Sequence, residues 1–282
     1  MEIIAPYSWL MKPRLEEAKG EEMVKERICR PVSLPMDKWE AAAATAIAVN
    51  PINRVRIERL TRVMPDFEPS PLALAVMVAK RWATSGVRLS VGFMDTNDAA
   101  LKRHIVAHMN AWSRFANVKF LQAKTDPDVR IARTANDGYW SYVGTDILQI
   151  PANEPTMNLE AFTLNTPESE YHRVVRHETG HTLGFPHEHM RRDLVKRIDA
   201  KKAIKYFRLT QGWSEAEVRA QVLTPLDESL IVGSPNADEN SIMCYQLPGE
   251  ITKDGKPILG GLDIDKTDKS FAASIYPKKL TA

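Results

Sequence analysis

Cysteine is nearly absent from this chain: Cys29 and Cys244 are the only two among 282 residues. That density excludes a small scaffold stapled by disulfides and is compatible with a reducing compartment. Long apolar runs are lacking as well. The purest stretches, Ala41 to Val49 and Leu72 to Ala79, are too short to cross a bilayer, so no membrane span is expected. The N-terminal MEIIAPYSWLMKPRLEE has no basic region leading into a long apolar one, so a cleavable secretory signal is not read here. The expected location is the cytoplasm, or outside the cell by a non-classical route. Charge of one sign is missing too. The 38 basic and 36 acidic residues leave +2, which gives no field to gather nucleic acid or anionic lipid.

What is present suffices for a large domain, since 44% of residues are hydrophobic and can supply a core without staples. Residues 1 to about 78 are rich in proline and charge, with a charged helix expected over Arg14 to Arg27 and an alanine-rich one over Asp37 to Val49. They read as an N-terminal extension, pro-segment-like, wrapped on a catalytic domain of residues 79–282. From Lys80 onward strand and helix alternate. Val87 to Phe93 alternates as a strand, and Asn97 to Phe115 has helical spacing with Leu101, Ile105, Met109 and Trp112 on one stripe. Short strands are expected at Val118 to Ala123, Asp128 to Ala132 and Tyr139 to Gly144. Asp146 to Pro151 reads as a further extended piece, followed by a loop through Asn165. Helices are expected over Glu168 to Leu183, Ala200 to Arg208, Ser214 to Leu223 and Asp263 to Tyr276.

Residues 177 to 187 read His-Glu-Thr-Gly-His-Thr-Leu-Gly-Phe-Pro-His and fill every fixed position of H-E-x-x-H-x-x-G-x-x-H. Four residues make a little over one helical turn, so His177 and His181 share a face and can point two imidazoles at one ion. Gly184 can take a positive φ, ending the helix and turning the chain so that His187 supplies a third ligand. Three neutral imidazoles leave a fourth position open on zinc, the arrangement that brings a bound water to a pKa of about 7. Glu178 lies about 100° round the helix from His177. There it is poorly placed as a ligand and well placed as a general base.

The segment HETGHTLGFPHEHMRRD resembles the active site of the astacin-like metzincins, as do Trp140-Ser141-Tyr142-Val143-Gly144 and Ser241-Ile242-Met243-Cys244-Tyr245. The resemblance covers residues 80–277 in order, and extends to a bacterial group between astacins and matrixins. It implies an α+β fold: a twisted mixed sheet with an active-site helix above a zinc cleft, and an irregular, mostly helical half below. It also implies Met243 as a hydrophobic floor under the histidines and Tyr245 as a movable ligand that stabilises an oxyanion. The edge strand of that family pairs with extended substrate, which would place Trp140 to Val143 along the cleft; an internal strand is the other reading.

The chain departs from that pattern in places. Tyr139 stands where the family has a cysteine, and Cys244 where its Met-turn has a histidine. Glu188 matches a residue that pairs with a newly cut N-terminus, but nothing in the sequence marks an activation site. Cys29 has two readings: a buried free thiol, or a thiolate cap on the zinc of a latent form. Asp37 and Asp66 are the aspartates available for the same task. His104 and His108 stand four apart but lack a third ligand nearby in sequence, so packing is the expected role. His172 and His189 read as solvated, or as supporting the ligands.

The function expected from these residues is that of a zinc-dependent endopeptidase acting on protein or peptide substrates. The alternatives are a zinc-containing binding protein without catalysis and a zinc hydrolase of a non-protein amide. Glu178 weighs against the first, because a structural zinc has no use for a base beside an open position.

Overall fold

In a computed structural model, residues 29, 32–55, 57, 75, 77–211, 214–225 and 237–278 are described. The helix expected over Arg14 to Arg27, and Asp66, lie outside them. Strand β1 (Val87–Phe93) has the alternation read from its sequence, with Val87, Leu89 and Val91 buried. It is flanked on both sides by parallel neighbours, β2 (Val118–Gln122) and β3 (Val129–Ala132). A parallel pair needs a crossover, and helix α2 (Ala99–Met109), the second helix after the N-terminal α1 (Trp39–Val49), provides it before tightening into a 3-10 turn at Asn110–Arg114. Its N-cap is Asp98, whose carboxylate accepts the amides of Ala100 and Leu101. Leu101, Ile105, Met109 and Trp112 all face the core.

The sheet order is β2-β1-β3-β5-β4, with β4 at Tyr139–Ser141 and β5 at Met157–Leu159. Strand β5 is parallel to β3, and β4 runs antiparallel to it and forms the edge. Two expectations need correction here. The segment read as loop through Asn165 contains β5, a three-residue strand too short to show a period. Asp146 to Pro151 is not extended, since Gly144–Gln149 is a 3-10 turn. Its buried Gly144 and Ile147 are three residues apart, the repeat of that helix.

The helical run into the motif begins after Pro167 with one turn at Glu168–Glu170, widens to a π-turn at Tyr171–Val175, and continues as α3 (Arg176–Thr182). Indole and phenol donors fix both its ends. Trp112 Nε1 donates to the carbonyl of Arg176 at 2.9 Å, Trp82 Nε1 to that of Thr182 at 2.8 Å, and the Tyr276 hydroxyl to that of Leu183 at 2.6 Å. The last two satisfy carbonyls that a helix end leaves without partners.

Below α3 a second core gathers Leu194, Ile198, Phe207, Val218, Leu247 and Ile251 around α4 (Ala200–Gln211). The segment Ile242 to Tyr245 runs between the two cores, with Met243 in the upper and Cys244 in the lower. Helix α5 (Lys266–Ile275) closes the chain with a capping box formed by Asp265 and Asp268. A third cluster joins the N-terminal region to the domain: Leu34 and the Trp39, Ala42 and Ala46 face of α1 (Trp39–Val49) pack on Val78 and Ile150.

Candidate metal centre

Helix α3 carries His177 and His181 on one face, and Gly184 ends it with φ +88°. A Cβ at Gly184 would lie 2.8 Å from the Lys80 carbonyl oxygen, so both the conformation and the close approach require glycine. The turn brings His187 back to the other two. The three Nε2 atoms lie 3.1 Å (His177 to His181), 2.9 Å (His181 to His187) and 3.2 Å (His177 to His187) apart.

Their tautomers explain why that convergence needs a cation. His177 Nδ1 donates to the Ile242 carbonyl at 2.5 Å and His181 Nδ1 to the Phe185 carbonyl at 2.8 Å, which leaves lone pairs on both Nε2 atoms. Desolvation holds all three imidazoles neutral, with His181 lowered to about 4. Buried lone pairs this close repel unless a positive ion lies between them. The spacings approach the edge of about 3.3 Å expected for nitrogens at about 2.0 Å from a tetrahedral zinc. The residues therefore fit a zinc ion.

Glu178, fully buried beside the cluster, has its carboxyl raised to about 8 by desolvation, partly offset by the neighbouring Cys29 thiol and by the charge of Arg173. Cys29 completes a four-residue group with the three histidines, its Sγ 3.9 Å from His187 Nε2. Glu178 and the Tyr245 hydroxyl lie close enough to this thiol to shift its ionisation, the first raising and the second lowering it. Burial first, then the Glu178 charge, pushes that thiol well above its ordinary range, so a nearby cation is what would make it a thiolate. The Cys29 backbone also forms a parallel bridge to Tyr139 on the edge strand β4. On one side of it lies a cavity of about 170 Å³ lined by Leu34, Trp39, Ser141, Val143, His181 and His187 among others. On the other is one of about 130 Å³ lined by Tyr139, Arg173, His177, Glu178 and Tyr245.

Met243 lies so closely against α3 that a Cβ at Gly180 would overlap its Sδ. The turn that presents it is held by Asp268, whose carboxylate accepts Ser241 Oγ at 2.6 Å and the Ile242 amide at 2.9 Å. Glu188 ties the third histidine to the same turn, its amide donating to the Met243 carbonyl at 2.8 Å and its carboxylate accepting the Asp238 amide at 3.1 Å. Burial raises the Glu188 carboxyl to about 7.

The structure brings together His177, Glu178, His181, His187, Met243 and Tyr245, and it adds Cys29 from 158 residues away. Asp37 is exposed on a 3-10 turn. His189 departs from the solvated reading: it is buried, its ring 4.8 Å from that of Tyr245 and 5.1 Å from that of His187. His104 and His108 do gain a third partner, Glu168, which sequence distance concealed.

An edge-stranded mixed sheet, an active-site helix, a glycine turn to a third histidine and a methionine beneath the ligands define a metzincin-type metallopeptidase. The family model described as Astacin, a peptidase family, matches residues 75–211. The solved structure of myroilysin is 30% identical with a TM-score of 0.66, and the match covers 71% of this chain and 97% of that one. A crystal structure of myroilysin gives 30% identity and a TM-score of 0.54, covering 71% and 86%. The zinc metalloproteinase nas-27 of Caenorhabditis elegans is 31% identical over 93 residues, 33% of this chain. The match spans 19% of that curated relative's length. The chain belongs to the astacin family of zinc metallopeptidases.

Proposed function

We propose that this chain is a zinc-dependent endopeptidase whose ligands are His177, His181 and His187 and whose general base is Glu178. The observation that carries the reading is the convergence of three Nε2 lone pairs beside the fully buried carboxyl of Glu178. Zinc held there supplies a Lewis acid for the peptide carbonyl and lowers the pKa of water. The chain's own residues do the rest. Glu178 takes the proton of the attacking water and passes it to the leaving amine. The edge strand β4 binds an extended peptide through its backbone. The Tyr245 hydroxyl donates to the oxyanion once Cys29 has left its side.

The position of Cys29 supports a latent form. Its thiolate would close the fourth zinc position, and its backbone bridge to Tyr139 sits on the β4 edge that a peptide needs. Release of the thiolate opens both at once.

The test is incubation of zinc-loaded full chain with a mixed peptide library, beside Cys29→Ser and Glu178→Ala/Cys29→Ser. Internal cleavage by Cys29→Ser, and none by the double variant at equal zinc content, is the expected result. A folded, zinc-loaded Cys29→Ser protein that cuts nothing would shift the reading to a binding protein.

A further inference from the structure

The N-terminal region builds part of the cleft wall. The cavity of about 170 Å³ beside His181 and His187 is bounded by Val143 just beyond β4, by Pro186 before the third ligand, and by Leu34, Trp39 and Val78. Trp39 opens α1, which lies outside the residues 75–211 that match the Astacin family model. We propose that Trp39 is a specificity-determining residue of the working enzyme, walling a subsite that takes an apolar side chain of the substrate beside the zinc. The inference rests on the peptidase reading above.

The anchoring of α1 carries the argument. Asn50 and Asn53, both buried, fasten its C-terminal end to the segment that enters the catalytic domain. Asn50 Nδ2 donates to the Trp82 carbonyl at 2.7 Å. Asn53 Nδ2 donates to the carbonyls of Ala46 and Arg81 at 2.8 Å each, and its Oδ1 accepts the Arg81 amide at 3.1 Å. The other face is tied to the 3-10 turn after β4: Lys38 Nζ donates to the Gln149 carbonyl at 3.2 Å, and Gln149 Nε2 to Thr45 Oγ1 at 2.9 Å. Stripping α1 away would leave buried amides without partners, which is costly. The segment it holds also supports the site, since the Lys80 carbonyl accepts the Thr145 amide at 3.0 Å and Trp82 Nε1 caps the end of α3. None of these bonds involves Cys29. Departure of its thiolate from the zinc therefore leaves α1 and Trp39 in place.

The chemistry of the cavity selects the occupant. Trp39 spends its one side-chain donor on the Leu34 carbonyl at 2.8 Å, so it has only its ring to offer a substrate. Lys80 and Asp146, charged residues on the wall, are paired with each other at 3.2 Å and each is only 15% exposed. The pair presents no net charge to an acidic or basic side chain. Ser141 Oγ is likewise engaged, by the Tyr142 carbonyl and Thr182 Oγ1. A charged side chain entering here would lose its water without gaining a partner, whereas an apolar one meets indole, valine and proline.

Equilibrium binding tests the subsite without catalysis. Zinc-loaded full chain carrying Glu178→Ala/Cys29→Ser is titrated, by fluorescence anisotropy, with labelled peptides that place Leu, Trp or Glu at each position in turn of an otherwise Ala-Ser sequence. At one position Leu should bind about tenfold or more tighter than Glu. Trp39→Ala in the same background should bring that ratio close to one. Should the alanine variant fail to fold, Trp39→Phe enlarges the cavity by a smaller step and should raise the binding of Trp relative to Leu there. A Leu-to-Glu ratio unchanged in folded Trp39→Ala, a Trp-to-Leu ratio unchanged in Trp39→Phe, or no apolar preference at any position would overturn the proposal and leave the peptidase reading standing. No binding of any peptide by the folded, zinc-loaded protein would overturn both.

Discussion

Met243 and Gly180 are in mutual contact where the Ile242 to Tyr245 segment meets the active-site helix: the space a Cβ would take at Gly180 is already filled by the Met243 thioether. Alanine at Gly180 should gain about 1 kcal/mol of helix propensity and lose about 1–3 kcal/mol to overpacking. Met243→Ala alone should leave a cavity costing about 2–5 kcal/mol. The double variant should therefore be more stable than the sum of the singles, with a coupling of about 0.5–3 kcal/mol in denaturant titrations. Additive effects would show that the two residues are not packed as described.

Asp268 connects the closing helix to the candidate ligands. It accepts from Ser241 and Ile242, and the Ile242 carbonyl accepts from His177 Nδ1. Replacing Asp268 by alanine leaves buried donors unpaired and should cost about 1–3 kcal/mol for each one stranded. It should also weaken zinc binding by about tenfold or more, the usual consequence of loosening the support of a ligating imidazole. Competition with a chromophoric chelator measures it. Unchanged zinc affinity in a destabilised protein would break the proposed link from Asp268 through Ile242 to His177.

Asp265 gives the fold a pH dependence of definite sign. Desolvation, with Asp268 and Asp238 nearby, raises its carboxyl to about 6. The folded chain thus holds this proton more tightly than the unfolded chain, where the value is about 3.9. The resulting stabilisation is complete below about pH 4 and is lost as pH rises through about 6. Asp265→Asn keeps an oxygen for the Asp268 amide and removes the titration. Thermal midpoints should favour the variant increasingly between those limits; a constant difference across that range would refute the assignment.

Chelation should act on folding as well as on the site. Three buried imidazoles with converging lone pairs are strained without an ion, so stripping zinc should lower the thermal midpoint, and restoring it should recover the loss. A midpoint indifferent to zinc would contradict the geometry. His187→Ala should reduce that zinc response sharply, because it removes one of the converging lone pairs.

The motif made the centre legible in advance, because helical periodicity fixes where His177, Glu178 and His181 point, and a glycine at 184 permits the return to His187. Strand β1 and the Leu101 to Trp112 stripe were equally plain, being long enough to display a period. Strand β5 was not, because three residues carry no pattern and its pairing partners lie elsewhere in the chain. Cys29 and Glu168 show a different limit. Cys29 meets His187 from 158 residues away and Glu168 meets His104 from 64, and no local signal announces a contact made only when the sheet and helices assemble.

The reading as a latent zinc peptidase is tested most directly by zinc X-ray absorption on the full chain, with Cys29→Ser beside it. One sulfur at about 2.3 Å and three nitrogens at about 2.0 Å are predicted at the catalytic zinc of the wild type. Nitrogen and oxygen alone are predicted for Cys29→Ser. Absence of sulfur in the wild type would contradict the account of Cys29 as the fourth ligand, and absence of bound zinc from both proteins would contradict the catalytic centre itself.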